Sequence, residues 1–373
     1  MSARARRRSS AVALTVAITT GATLLLTACD PSAGSTGSTK TDAAAQAPIA
    51  AAPVAAGAAA QSAAPSTAPS APAAAVQPAA DTTPSRAASA APQAAEPAAP
   101  LNGTAHNGLT ISNGTRYVVM NGTTVDFGTA VRDLAWSPDG RKAAFVDGNG
   151  DLAVAAPDGT GRITVAKHGA GETWSHPAWQ VAPALADGTI RAKNNLQFVV
   201  TTGGTTRLET VVATGGTPQP LRLGSYSEEN FSPNPETGNT WVSGGTSYGA
   251  TAYANSENGE VYYRDDNLRQ QGGSVTKGSE PTISPDSRDI VFVRASHGHD
   301  HLFAYRSGRQ GQPTVVDLTP NATTDYTEPT YSPDGRTIAA RTADGIVTLP
   351  ADGSAAPKLV SGYHGLPSYR PQA

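Results

Sequence analysis

The sequence of 373 residues predicts an all-β fold, a six-bladed β-propeller whose last blade is shared between the two ends of the domain. After residue 100, short β-rich runs are separated by clusters of Gly, Asp, Asn and Pro, and helical periodicity is almost absent. One motif recurs about every 40 to 50 residues, which is the period of a four-stranded propeller blade. The last copy has too little chain after it to form a blade by itself.

The recurring motif is a short β-strand that ends in Ser-Pro-Asp-Gly. This ending predicts a tight turn, because Pro fixes φ and Gly accepts a positive φ. The apolar or aromatic residue before the Ser is expected on an inner strand, packed between blades. The clear copies are 133–140 (DLAWSPDG), 280–286 (EPTISPD) and 328–335 (EPTYSPDG), and the degenerate copies are 176–179 (HPAW), 228–233 (EENFSP) and 366–371 (LPSYRP).

The missing strands of the last blade are predicted before the first copy of the motif. Residues 108–111, 116–120 and 124–127 form three β-rich runs. The strand at 366–371 is expected to join them, so that five complete blades and one split blade make six. This closure would remove the open sheet edge between the first and last blades.

The repeat resembles that of TolB and its relatives, a group of β-propellers. The resemblance covers about residues 108–373 and is strongest at 131–160 and 279–353. It implies the propeller fold but not one function, because the group includes periplasmic interaction proteins, the propeller halves of prolyl peptidases and some sugar-acting enzymes.

The N-terminus has the features of a bacterial lipoprotein signal peptide, predicted at residues 1–28. Four arginines precede an apolar run at 11–26, which is short for a membrane span of about 20 residues. The following Leu-Thr-Ala-Cys resembles the lipobox, which implies lipidation of Cys29 and a location on the extracytoplasmic face of the cell membrane. The alternative is a plain secretory signal in which Cys29, the only cysteine, has no special role.

Residues 29–100 are predicted to form a disordered tether. They consist almost entirely of Ala, Pro, Ser, Thr, Gly and Gln, with few bulky apolar residues to form a core. Frequent Pro also disfavours helix despite the Ala content. The folded domain is therefore predicted at 101–373. The chain has a formal net charge of −3 and the domain has no basic run, so nucleic acid is not expected as a partner.

Aligning the repeats reveals a possible ring of ionisable residues. Equivalent positions of a propeller surround its central channel, so these side chains are expected to meet at one funnel. Converging carboxylates could bind a cation or a cationic group, or each could merely cap its strand by accepting a backbone hydrogen bond. The residues that open the inner strands are Asp133, His176, Glu228, Glu280, Glu328 and Leu366.

Two other motifs suggest chemistry. His297, His299 and His301 are spaced closely enough to bind zinc or copper, although the same segment also suits a polar loop between two strands. Residues 245–249 (GTSYG) match the nucleophile-elbow pattern around Ser247. That pattern requires a strand-to-helix turn in an α/β domain, which this sequence does not predict, so a plain loop is expected there.

These features favour a non-catalytic binding or scaffolding module that needs no cofactor. Its partner would be an envelope protein or a small ligand at the funnel. The alternatives are a metal- or sugar-binding propeller, in which the carboxylates and His176 could support an enzyme, and an accessory lipoprotein of an envelope assembly. A deep funnel with clustered His and carboxylates would favour the enzyme.

Replacing the lipobox cysteine should release the protein from membranes. Because lipid attachment requires the thiol, Cys29→Ala should abolish it and leave the propeller folded. Detergent-phase partition of the wild type and the variant measures this directly. A variant that still enters the detergent phase would show that Cys29 is not the anchor.

Overall fold

A computed structural model describes residues 99–186, 191–224, 233–245, 249–266, 272–308 and 312–372. Cys29, almost all of the predicted tether, Glu228 and Ser247 lie outside the described residues. The described part consists of strands and turns, and it contains no helix long and apolar enough to span a membrane.

Twenty-four strands form six antiparallel sheets of four strands each within the described residues. In chain order they are β1 (Leu109–Ser112), β2 (Tyr117–Met120), β3 (Thr123–Asp126), β4 (Arg132–Trp136), β5 (Ala143–Val146), β6 (Leu152–Ala155), β7 (Ile163–Ala166), β8 (Glu172–Ala182), β9 (Lys193–Thr202), β10 (Thr205–Val212), β11 (Gln219–Pro220), β12 (Asn239–Gly244), β13 (Thr251–Asn255), β14 (Glu260–Arg264), β15 (Gly272–Lys277), β16 (Ser279–Ile283), β17 (Asp289–Ser296), β18 (His299–Arg306), β19 (Thr314–Asp317), β20 (Thr327–Tyr331), β21 (Thr337–Thr342), β22 (Gly345–Pro350), β23 (Lys358–Ser361) and β24 (Leu366–Tyr369).

The sheets are the blades of a propeller. Blades 1 to 5 are β4–β7, β8–β11, β12–β15, β16–β19 and β20–β23, and blade 6 has the order β24-β1-β2-β3. The first strand of each blade and β24 contact one another in a ring, in the order β4, β8, β12, β16, β20, β24 and back to β4. The predicted all-β, six-bladed fold with a split closing blade is therefore confirmed.

The hydrophobic core is divided among the interfaces between neighbouring blades. Each of six buried clusters draws its residues from two adjacent blades, and together the clusters account for all six interfaces. One cluster joins Leu109, Ile111 and Tyr369 of blade 6 to Ala339 and Ile346 of blade 5. No blade can therefore bury its apolar faces without both neighbours.

The Ser-Pro-Asp-Gly turns fold as the sequence predicts. Ser137 Oγ donates to Asp139 Oδ1 at 2.6 Å, and the backbone N–H of Lys142 donates to Ser137 Oγ at 2.9 Å. Gly140 has φ of 66° and its N–H donates to the carbonyl of Ser137 at 2.8 Å. The residue before the Ser packs between blades, as Trp136 does, donating from Nε1 to Thr110 Oγ1 at 3.0 Å.

A segment before β1 forms a second link between blades 5 and 6 that the sequence did not predict. Gly103 N–H donates to the Val360 carbonyl at 2.8 Å, so the segment adds to the edge of β23. Thr104 Oγ1 then accepts from the N–H of Gly122, in the β2–β3 turn, at 2.9 Å. A side chain at 103 would collide with the Val360 carbonyl oxygen, which explains the glycine.

Removal of the closing strand should destabilise the whole domain. Deleting residues 366–373 takes away β24 and opens the interfaces of blade 6 with blades 1 and 5. We expect a loss of unfolding free energy on the order of 3 to 5 kcal/mol, comparable to truncating a large buried side chain. Urea unfolding of both proteins gives the difference.

The matched control deletes only residues 372–373, which follow the strand and include the exposed Gln372. That deletion should leave the unfolding free energy within about 0.5 kcal/mol of the wild type. Equal stability of the longer deletion and the wild type would mean that β24 does not hold the ring closed.

Candidate functional site at one end of the channel

The innermost strands of blades 1 to 5 share an unusual backbone feature near their start. In each of these strands a β-bulge shifts the register of pairing with the next strand of the blade, as between Thr327 and Thr330 of β20. A β-bulge re-aims a side chain, and a non-glycine residue with positive φ costs about 1–2 kcal/mol. One bulge residue in each strand has a φ between 49° and 56°, and these residues are Asp133, His176, Trp241, Glu280 and Glu328.

In blade 3 the bulge position belongs to Trp241. Glu228, which the repeat pattern predicts at the equivalent position, lies outside the described residues. Trp241 is followed by Val-Ser-Gly, so in this part of the chain the Ser-Pro ending of the motif is found only in the Phe-Ser-Pro segment upstream. In blade 6, Leu366 pairs with Ser112 without a bulge, so the sixth position differs in backbone as well as in side chain.

Two carboxylates of the ring bind the backbone of the next blade. Asp133 Oδ2 accepts from the N–H of His176 at 3.0 Å, and Glu280 Oε2 accepts from the N–H of Glu328 at 2.6 Å. Each therefore joins the bulge of one blade to the bulge of its neighbour. Both residues therefore cap backbone groups of a neighbouring strand, which is one of the two interpretations that the sequence left open for the ring.

Glu328 is held differently. Its Oε1 lies 2.6 Å from Arg341 Nη2, whereas its Oε2 is buried and has no hydrogen-bond partner. Burial raises the pKa of Glu328 to about 7, opposed by Arg341 and reinforced by repulsion from Glu280 and Asp133. Asp133 and Glu280, from blades 1 and 4, are thus both close enough to Glu328 to act on its charge.

Burial also shifts the pKa values of two other ring residues, Glu280 and His176. Burial raises the pKa of Glu280, and repulsion from Asp300 adds to the rise, while the N–H of Glu328 and Arg341 oppose it. Burial lowers the pKa of His176, which Asp133 partly offsets. The His176 ring lies against the Trp241 ring with the ring centres 4.0 Å apart and the ring planes tilted by 42°. This end of the channel therefore combines an aromatic pair with three carboxylates.

A cavity of about 420 Å³ follows the central channel. Asp133, His176 and Trp241 line it directly, as do Pro281 and Pro329, which follow Glu280 and Glu328 in sequence. The remaining wall comes from the inner strands and includes aromatic residues that precede the tight turns, such as Trp136 and Tyr331. The cavity therefore runs along the inner strands and reaches the bulge residues Asp133, His176 and Trp241.

In the histidine-rich segment, His297 lies in the turn between β17 and β18, whereas His299 and His301 lie in β18. His301 is 1 % exposed, and its Nδ1 lies 2.9 Å from Asp317 Oδ2. His299 Nδ1 lies 3.1 Å from Asp325 Oδ1, and the His297 ring is 6.2 Å from that of His301. In the described part of the chain, no three such side chains converge on one point that could hold a metal.

The segment that matches the nucleophile-elbow pattern lies between two strands. Gly245 directly follows β12 and Gly249 precedes β13, so the segment connects strands of one blade. The geometry that activates a serine in that motif is instead a turn from a strand to a helix. Ser247 itself is outside the described residues.

Comparison with known proteins shows a similarity of fold and nothing beyond it. No protein-family model matches the sequence, and no curated protein matches it. TolB from Acinetobacter baumannii is 16% identical, with a TM-score of 0.48 over 71% of this chain and 66% of that one. A putative TolB from Agrobacterium tumefaciens is 17% identical, with a TM-score of 0.45 over 68% and 87%. An oligogalacturonate lyase in complex with manganese is 12% identical, with a TM-score of 0.43 over 66% and 73%.

The sheet order and the ring closure define the class of protein, a six-bladed β-propeller. Solved TolB structures are among those with a similar fold.

The raised pKa of Glu328 predicts a pH-dependent stability. The folded state retains the proton between the ordinary pKa of 4.5 and the folded value of about 7. The contribution of Glu328 is therefore fully present below about pH 4.5 and is lost as the pH rises through about 7. Glu328→Gln should match the wild type near pH 4.5 and exceed its unfolding free energy by up to about 3 kcal/mol near pH 8.

Urea unfolding of both proteins across this pH range measures the difference. Glu257→Gln is the control, because it removes an exposed carboxylate from a turn. A difference between Glu328→Gln and the wild type that stays constant with pH would contradict the assignment.

Proposed function

We propose that this protein is a non-catalytic binding module of the cell envelope, anchored through Cys29 on the extracytoplasmic face. In this proposal the propeller presents the carboxylate end of its channel to a partner protein. The tether would supply reach between the membrane and that partner.

One observation supports this proposal above all. Glu328, Glu280 and Asp133 come from three blades, yet the charges of Glu280 and Asp133 both act on Glu328, and Asp133 lines the central cavity. The Oε2 atom of Glu328 has no hydrogen-bond partner although it is buried. A buried acceptor without a partner costs about 1–3 kcal/mol, so a donor from outside would be stabilised there.

The charge of the site suggests the chemistry of that donor. A Lys or Arg side chain brings several N–H donors and a positive charge, and charge-assisted hydrogen bonds to carboxylates are the stronger kind. Arg341 offsets part of the negative charge from one side of Glu328. We therefore propose a basic side chain of a partner protein as the group that enters the channel end.

Neutralising the carboxylates should weaken the partner without unfolding the propeller. Glu280→Gln/Glu328→Gln retains hydrogen-bonding groups and removes repulsion, so its melting temperature should equal or exceed that of the wild type. Its affinity for the captured partner should fall at least about tenfold, as for other buried charge pairs. Capture by the full-length chain from its own membranes, followed by titration of the purified partner, measures both.

The matched control is Asp158→Asn/Asp352→Asn, which removes the same charge from two fully exposed turns. That variant should bind the partner as the wild type does. Equal losses in the two double variants would mean that overall charge, not the channel end, controls binding. No loss in either would exclude the channel end as the site.

A further inference from the structure

The turn between β17 and β18 and the start of β18 carry a second group of candidate ligands, three histidines that are separate from the channel. His297 and Gly298 have φ of 50° and 90°, which makes the turn tight enough for two directly paired strands. His299 pairs with Ser296 across the ladder, and His301 pairs with Arg294. The turn thereby gathers three imidazoles within five residues.

In all three imidazoles, Nδ1 is the nitrogen that lies within hydrogen-bond distance of an oxygen atom. Nδ1 lies 2.9 Å from Ser296 Oγ in His297, 3.1 Å from Asp325 Oδ1 in His299 and 2.9 Å from Asp317 Oδ2 in His301. A carboxylate can only accept, so Nδ1 of His299 and of His301 carries the proton. In the neutral ring the lone pair then lies on Nε2, the atom that binds metals.

His301 has one ring nitrogen, Nε2, that lacks a hydrogen-bond partner. Its side chain is 1 % exposed, and its Nε2 atom is buried without a hydrogen bond. Leaving such an atom unpaired costs about 1–3 kcal/mol. A carboxylate that holds Nδ1 while Nε2 stays available is the arrangement found behind metal-ligating histidines. Asp317 therefore orients His301 as a ligand.

The second imidazole is close enough to share one ion. The ring centres of His297 and His301 are 6.2 Å apart. Two imidazoles that bind one ion through nitrogen at about 2.0–2.1 Å have ring centres roughly 6.4 Å apart when they lie on opposite sides of the ion, as a tetragonal Cu²⁺ or Ni²⁺ site allows. His297 is exposed, so its ring can adjust, and water can reach the other coordination positions. The ring contacts of His301 are with His297 and Phe303, and His299 is not among them.

We propose that His297 and His301 bind one divalent transition-metal ion through their Nε2 atoms, with Asp317 as the positioning residue. The ligand set selects the ion. Imidazole nitrogen suits copper, nickel and zinc, and the affinity of such a site is highest for Cu²⁺. With two protein ligands, the remaining positions belong to water, so the ion is exchangeable and accessible to chelators.

Cu²⁺ added to the full-length protein tests the site. Calorimetry should show one Cu²⁺ bound tightly, and the electron paramagnetic resonance spectrum should show coupling to two nitrogen nuclei. His297→Ala removes an exposed ligand, so the metal-free variant should melt like the wild type while its affinity falls at least about tenfold. Asp317→Asn should lower the affinity by about 10- to 100-fold without removing a nitrogen from the spectrum.

Two further variants make the result decisive. His364→Ala removes an exposed imidazole elsewhere on the domain and should bind Cu²⁺ as the wild type does. His299→Ala should keep the affinity and the two-nitrogen spectrum. Wild-type affinity in His297→Ala would overturn the proposal, as would equal losses in His297→Ala and His364→Ala. A loss in His299→Ala as large as that in His297→Ala would overturn the two-ligand assignment.

Discussion

The pairing of β24 with β1 is the constraint on which the rest of the structure depends. Blades bury their apolar faces only against each other, and each of the six core clusters belongs to one interface. Leu109 pairs with Tyr369 and Ser112 with Leu366, so residues more than 250 positions apart complete blade 6. Closing such a distant contact carries an entropic cost, which buried surface at two interfaces offsets. The link from Gly103 to Val360 reinforces the same closure from the N-terminal side.

The sequence predicts this architecture well because its signal is local and repeated. Each clear copy of the motif specifies a strand and a tight turn with Pro, and two of the three copies also have a Pro that suits the innermost strand as a sheet edge. The number of blades and the split closure follow from counting copies and the chain that remains. Blade 3 escapes this reasoning. Trp241 occupies its bulge without the tight-turn motif, and its φ of 52° and the register shift of β12 show the equivalence.

The sequence predicts which positions form the candidate site, but it does not predict the interactions that their side chains make. Equivalent positions in a repeat converge by symmetry, and the charges of Asp133 and Glu280 do act on Glu328. Their roles nevertheless differ, because Glu280 accepts a hydrogen bond from the next blade while Glu328 pairs with Arg341 and keeps one oxygen unpartnered. Those differences depend on side-chain direction and on neighbours distant in sequence. The pairing of His301 with Asp317 was hidden for the same reason.

Strand β18 contributes to two separate groups of side chains. Asp300 lies between His299 and His301 in β18, and successive side chains of a strand point to opposite faces of the sheet. The charge of Asp300 raises the pKa of Glu280, a bulge residue of the same blade. His301 is held instead by Asp317 of β19. The alternation of side chains along one strand therefore lets blade 4 contribute both to the channel end and to the histidine site.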